Sequence, residues 1–174
     1  NKERVSVQDL RFLRFKGEQS HSGATGMLMR KDALCACAEL VTVLEKGTKR
    51  SDLVYGLYIK NAAMNIVPGE VEIALKIDIQ ELDILGKTIN SIARKRKVSI
   101  ETINPLESQV EVRQDAAIYM AVLDIAFNLE KDAKEFYKKQ KQDSRPVGTA
   151  GSIVVNREKR FDRLELSVDI RGFD

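Results

Sequence analysis

Between Val71 and Ile79 the sequence alternates strictly, with Val71, Ile73, Leu75, Ile77 and Ile79 apolar and Glu72, Ala74, Lys76 and Asp78 between them. A period of two over nine residues is the pattern of a β-strand with one face against a core and the other polar, so the chain must build a sheet covered on one side. Leu164 to Arg171 alternates in the same way. Between and around these strands lie helical stripes. Leu34, Cys37, Val41 and Leu44 recur at three-and-four spacing, with Asp32, Glu39 and Lys46 expected to face water. Asp32 in the first turn and Lys46 in the last suit the helix dipole, and Lys46-Gly47 reads as the stop. Leu82, Leu85, Ile89 and Ile92 form a second stripe, and Ile118, Val122, Ile125, Leu129 and Phe136 a third within a long helix from Asp115 to about Lys141.

Strands are also expected at residues 5–16, 53–59 and 98–103, where the adjacent Phe12 and Leu13 imply either a bulge or a strand covered on both sides. The first part of the chain thus reads strand, helix, strand, strand, helix, strand. That order predicts an α+β fold, a split β-α-β (ferredoxin-like) sandwich whose four-stranded, mainly antiparallel sheet carries two helices on one face. Its expected extent is 5–106.

Residues 107–174 read as a partial second copy. Val110 to Val112 fits a short strand, the long helix follows, and Asp143-Ser144-Arg145-Pro146 with Gly148-Thr149-Ala150-Gly151-Ser152 reads as a loop before a strand at Ile153 to Val155. Aligning Ile77-Asp78-Ile79 with Val168-Asp169-Ile170 also pairs Leu75 with Leu166 and Asp83 with Asp174. Either a duplication or the strand period itself accounts for that match.

Chemistry concentrates in residues 17–32. Gly17, Gly23 and Gly26 with Ser20, Ser22 and Thr25 make a turn whose backbone approaches a ligand closely, and it carries His21, the only histidine of 174 residues. One imidazole and two cysteines, Cys35 and Cys37, show no metal-ligand spacing. The cysteines stand two apart on a helix, facing different ways, so reduced thiols and a cytoplasmic setting are expected. A net charge of +3 implies neither nucleic acid nor a membrane surface. No apolar run approaches the roughly 18 residues of a span, and the first residue is Asn, as in a piece cut from something longer. The basic run Arg94-Lys95-Arg96-Lys97 has no interleaved aromatics and ends a helix, where cations complement the dipole; it reads as a solvated helix end.

The run from Gly17 through His21 to Thr25, followed by Arg30-Lys31-Asp32-Ala33 and an Ala-rich helix, resembles the lid or dimerisation domain of the zinc-dependent amidohydrolase, carboxypeptidase and aminoacylase family. Its nearest likeness is to N-carbamoyl-L-amino-acid and allantoate amidohydrolases. Asn65-Ile66-Val67-Pro68-Gly69 before the alternating strand is similar to a second marker of that domain. The resemblance implies the split β-α-β lid fold and a parent enzyme that cleaves C–N amide bonds of N-carbamoyl, ureido or N-acyl amino acids or small peptides. It implies zinc in a separate catalytic domain, with no metal ligands in this chain, so this chain alone would not turn over substrate. His21 inherits the role of polarising the scissile carbonyl, and Asn65 and Gly23 that of lining the substrate. Asn65 also reads simply as a turn residue ahead of Pro68-Gly69. The expected partners are the chain's own catalytic domain, a small-molecule substrate, and a second copy as a homodimer or an internal pseudo-dimer.

One element of the family pattern is missing. The resemblance implies an arginine after the alternating strand that grips the substrate carboxylate, and this chain has Asp78 or, with a two-residue insertion, Gln80 there. Arg171 follows Asp169-Ile170 in the second half and reads either as a complement to the first half or as a solvated strand arginine. A non-catalytic dimerisation domain that has lost substrate binding is therefore the alternative reading.

Overall fold

The computed structural model describes residues 4–63, 65–114, 117–140, 150–157 and 164–171. After a 3-10 turn at Val7–Asp9, capped by Ser6, come β1 (Arg11–Lys16), the two-residue β2 (Ser20–His21) and helix α1 (Ala33–Thr48). Then follow β3 (Val54–Ile59), the two-residue β4 (Ile66–Val67), β5 (Glu70–Leu75), α2 (Ile79–Ile84), α3 (Gly86–Arg96) and β6 (Ser99–Ile103). Helix α4 (Ala117–Gln140) and strands β7 (Ala150–Arg157) and β8 (Leu164–Arg171) complete the described chain. The main sheet has the order β3-β5-β1-β6 with every neighbouring pair antiparallel, which is the split β-α-β arrangement. The α+β class and four-stranded antiparallel sheet are those the sequence predicts.

One face of the sheet presents Leu13, Phe15, Val71, Ile73 and Leu75 to Leu34, Cys37, Val41 and Leu44 of α1 and to Leu82 and Ile92 of α2 and α3. The other face is not simply polar. Phe12, Tyr55, Ala74 and Ile103 form a second apolar cluster there, under Leu10, with Val5, Val110 and Val112 packed against it. The Phe12-Leu13 pair therefore marks a strand covered on both sides. On the same outer face Glu72, 1% exposed, accepts hydrogen bonds from Arg14 Nε (2.9 Å), Ser108 Oγ (2.8 Å) and the Gln109 amide (2.7 Å). This buried carboxylate pins the segment after β6 across the sheet. Val110 to Val112, expected as a strand, is irregular chain whose tie to β3 is the bond from Arg113 N–H to Tyr55 O (2.7 Å).

Four further expectations need correction. The alternating strand ends at Leu75, because Asp78 caps α2: its carboxylate accepts from Glu81 N–H (2.7 Å) while Glu81 accepts from Asp78 N–H (2.9 Å). This reciprocal capping box starts a helix where period two alone continues a strand, and Ile79 is left 55% exposed. Residues 5–10 turn before the strand that begins at Arg11. Gly47 lies inside α1, and the helix stops two residues later with Lys49 in the left-handed region at φ 55. Ala150, Gly151 and Ser152, expected in a loop, belong to β7.

Helix α4 lies over α1, adding Tyr119, Met120, Leu123 and Ala126 to the main core. Every residue of α1 from Ala33 to Ala38 is consequently buried, so this helix is covered on two sides rather than along one stripe. Glu39 does not face water. It pairs with Lys95 (2.8 Å) and with Arg96, which also holds Glu130 of α4 at 2.7 Å, and Lys134 joins Glu130 at 2.5 Å. The basic run at the end of α3 is thus only partly a solvated surface, for Arg96 is 9% exposed at the junction of three helices.

Strands β7 and β8 pair antiparallel, Ala150 opposite Arg171 and Arg157 opposite Leu164. Helix, strand, antiparallel strand is also the order of α1, β3 and β5. The alignment of Asp78 with Asp169 nevertheless joins a helix cap to a strand residue. Asp115-Ala116, Asp143 to Pro146, Gly148, Thr149 and Asp174 lie outside the described residues.

Candidate functional site around His21 and Asn65

The turn after β1 is built by close backbone contacts that exclude side chains. Gly17 N–H donates to Gly69 O (2.7 Å) and Glu18 N–H to Lys31 O (2.9 Å). A Cβ on Gly17 would stand 1.9 Å from Lys31 O, and one on Gly69 would stand 2.6 Å from the Gln19 nitrogen. Only glycine fits either place. Strand β2 then pairs with β4, placing Ser20 opposite Val67 and His21 opposite Ile66, and Ser22 N–H donates to Asn65 O (2.8 Å). His21 and Asn65, 44 residues apart in sequence, are thereby side by side. Both are exposed.

The imidazole is oriented from within its own turn. Gly23 N–H donates to His21 Nδ1 at 3.0 Å, so in the neutral ring the proton resides on Nε2. Asn65 Nδ2 lies 3.5 Å from His21 Nε2, at the outer limit of a hydrogen bond, which leaves the Nε2 proton free to point outward. A Cβ on Gly23 would approach the ring to 3.1 Å at Cε1, so glycine there leaves the ring its room. His21, Gly23 and Asn65 therefore form one unit: an outward N–H donor, the amide that fixes it, and a carboxamide beside it.

The turn is closed by Arg30. Its Nε donates to Thr25 O (3.0 Å) and its Nη2 to Ser22 O (2.6 Å), while Ala24 and Thr25 N–H donate to His21 O at 3.1 and 3.0 Å. Burial pushes the Arg30 guanidinium below its ordinary value, opposed by the charges of Asp32 and Glu130. Asp32 caps α1 by accepting from Cys35 N–H (3.0 Å), and burial raises its carboxyl against that bond. The close approaches at Gly17 and Gly69 and the Arg30 fork complete the site; the sequence marks the glycines as turn residues but does not show the fork. The signal available was that the first marker begins and the second ends with a glycine.

Arg171 ends β8, in a two-stranded sheet separate from the β2–β4 ribbon. Asp78 lies beyond the opposite end of β5 from Gly69, about 20 Å along the strand from the turn. Its carboxylate is committed to the α2 cap, and Gln80 is exposed within α2. Among the described residues no three His, Cys, Asp or Glu side chains are grouped to hold a metal ion. The neighbours of His21 are an amide and main chain, and Cys35 and Cys37 are buried, so the residues present do not fit a zinc site. No helix among the described residues is long and apolar enough to cross a membrane.

With the ribbon and its histidine defined, the chain is similar in sequence to several hydrolases, amidohydrolases among them. The sequence is 33% identical over 101 residues to an uncharacterized hydrolase of Haemophilus influenzae, covering 51% of this chain and 25% of that one. It is 30% identical over 99 residues to the N-carbamoyl-L-amino acid amidohydrolase of Geobacillus stearothermophilus (49% and 24% covered). An allantoate deiminase of Arabidopsis thaliana is 27% identical over 164 residues (79% and 31% covered). No family model matches. The chain spans about a quarter to a third of the length of these relatives, as a domain of such a protein does.

Proposed function

We propose that this chain is the lid and dimerisation domain of a larger metal-dependent amidohydrolase that cleaves C–N bonds of N-carbamoyl, ureido or N-acyl amino acids or small peptides. The observation that carries this reading is the Gly23 N–H bond to His21 Nδ1, which commits Nε2 to donate outward beside Asn65. A donor so fixed is suited to a carbonyl oxygen that gains charge as the scissile bond is attacked, and Asn65 supplies a second polar contact. His21 is the residue proposed to act on the reacting group; Gly23 acts by orienting it. Zinc, where the parent uses it, would be held by residues outside those described.

Arg171 remains the arginine that the sequence offers for the carboxylate of the substrate, the alternative being a group elsewhere in the parent. A second reading has its own support: with Asp78 occupied as a cap, no arginine stands where the resemblance expects a clamp, as in a domain kept for pairing alone. The two separate on one experiment with the full polypeptide. Bound metal and hydrolysis of an N-carbamoyl or N-acyl amino acid favour the lid; absence of both, with self-association intact, favours the pairing domain.

A further inference from the structure

We infer that Arg30 is a positioning residue for His21, fixing which ring nitrogen carries the proton. His21 sits on a two-residue strand whose side chain is exposed, so packing does not hold the ring. What holds it is the Gly23 amide, and that amide points at Nδ1 only while the tight turn after His21 keeps its shape. The turn has two kinds of tie. Ala24 and Thr25 amides converge on His21 O from inside, and the Arg30 fork grips Ser22 O and Thr25 O, the carbonyls on either side of Gly23-Ala24, from outside. Ser22 is 2% exposed, so its carbonyl meets the guanidinium rather than water. A two-pronged planar donor suits carbonyls three residues apart as a single ammonium does not.

Arg30 also lies in the field of anionic groups on the helices. It precedes Asp32, the cap of α1, and the anionic groups facing it are Asp32 and Glu130 of α4, with Cys35 close by. Glu130 is in turn shared with Arg96 and Lys134. The guanidinium thus ties the turn, and the turn orients the imidazole. The consequence for catalysis rests on the role proposed for His21; the geometry of the ring does not.

Because His21 is the only histidine, its two ring nitrogens give an unambiguous long-range nitrogen–proton NMR spectrum of the whole chain. The wild type is expected to show the Nε2–H tautomer alone in its neutral form, with a protected Gly23 amide. In Arg30→Met the tautomers should mix as in a free imidazole, and Gly23 amide exchange should accelerate about tenfold. Arg30→Lys, which keeps the charge but not the fork, should fall between, and it carries the test if circular dichroism shows the methionine variant unfolded. Lys46→Met on the exposed side of α1 serves as the control. Folded Arg30 variants with wild-type tautomer and Gly23 protection would overturn the inference. In the full polypeptide, a loss in kcat for Arg30→Met that Arg30→Lys partly restores accompanies the ring change. A His21→Ala variant with undiminished activity would refute the role of His21 while leaving the Arg30 result standing.

Discussion

Replacing Arg96 by Met tests how α4 is joined to the sheet-and-helix unit. The guanidinium side chain is 7% exposed, and its partners Glu39 and Glu130 are 12% and 8% exposed, one on α1 and one on α4. Burial alone would raise both carboxyls, but Lys95 and Arg96 on Glu39, and Arg96 and Lys134 on Glu130, hold them below their ordinary 4.5. Methionine fills the arginine stem's space and leaves two largely buried carboxylates without the cation they share. Removing one partner of a buried pair costs about 3–5 kcal/mol, and the remaining lysines put the expectation near the lower figure. Against a total of about 5–15 kcal/mol this is a large share.

The sign of the pH dependence follows from the same groups. In the wild type each carboxyl has a folded pKa below its unfolded one, so its stabilisation is full above about pH 4.5 and is lost as pH falls through the folded value. In the variant, burial without arginine raises both, so the folded state binds protons more readily and the deficit shrinks on acidification. Urea denaturation followed by circular dichroism at about pH 7 and about pH 4.5 measures both quantities. A loss under about 1 kcal/mol, or one equal at the two pH values, would refute the reasoning.

Other consequences are simpler. Gly17→Ala drives a methyl into Lys31 O and should cost at least about 3 kcal/mol by thermal denaturation; a loss within 0.5 kcal/mol, roughly the scale of surface substitutions, would mean that the approach to Lys31 is looser than drawn. Asp32→Asn keeps the cap acceptor but removes a charge that burial disfavours; it should be neutral to slightly stabilising near pH 7, and the gain should vanish as pH falls toward the unfolded 3.8. Cys35 and Cys37 are buried, and burial pushes both thiols up, so neither should react with a thiol reagent until urea unfolds the chain; rapid native-state labelling would contradict this.

The sheet was legible because period two and period 3.6 are written directly in the apolar positions, and four strands with two helical stripes leave few ways to pack. What alternation could not show was its own end: Asp78 and Glu81 carry the capping signature, but Lys76 to Ile79 fit both patterns and the longer one prevailed. The second covering of α1 was hidden for a different reason. Cys35, Ala38 and Thr42 are small enough to read as a surface, yet all three are buried in a helix over which α4, nearly eighty residues on in the chain, lies. In the site, a glycine-rich turn announced His21, and Asn65 joined it through a motif. The Gly23 amide on Nδ1 depends on the closed shape of the turn, which no spacing encodes.

The most direct measurement of the central claim is kcat/KM for an N-carbamoyl-L-amino acid with the full polypeptide, wild type against His21→Ala. If Nε2 donates to the reacting oxygen, the variant should lose about two to three orders of magnitude, the size of one pre-placed donor. A loss of less than about threefold in a folded, metal-loaded variant would contradict it, leaving the His21–Asn65 ribbon without a part in the chemistry.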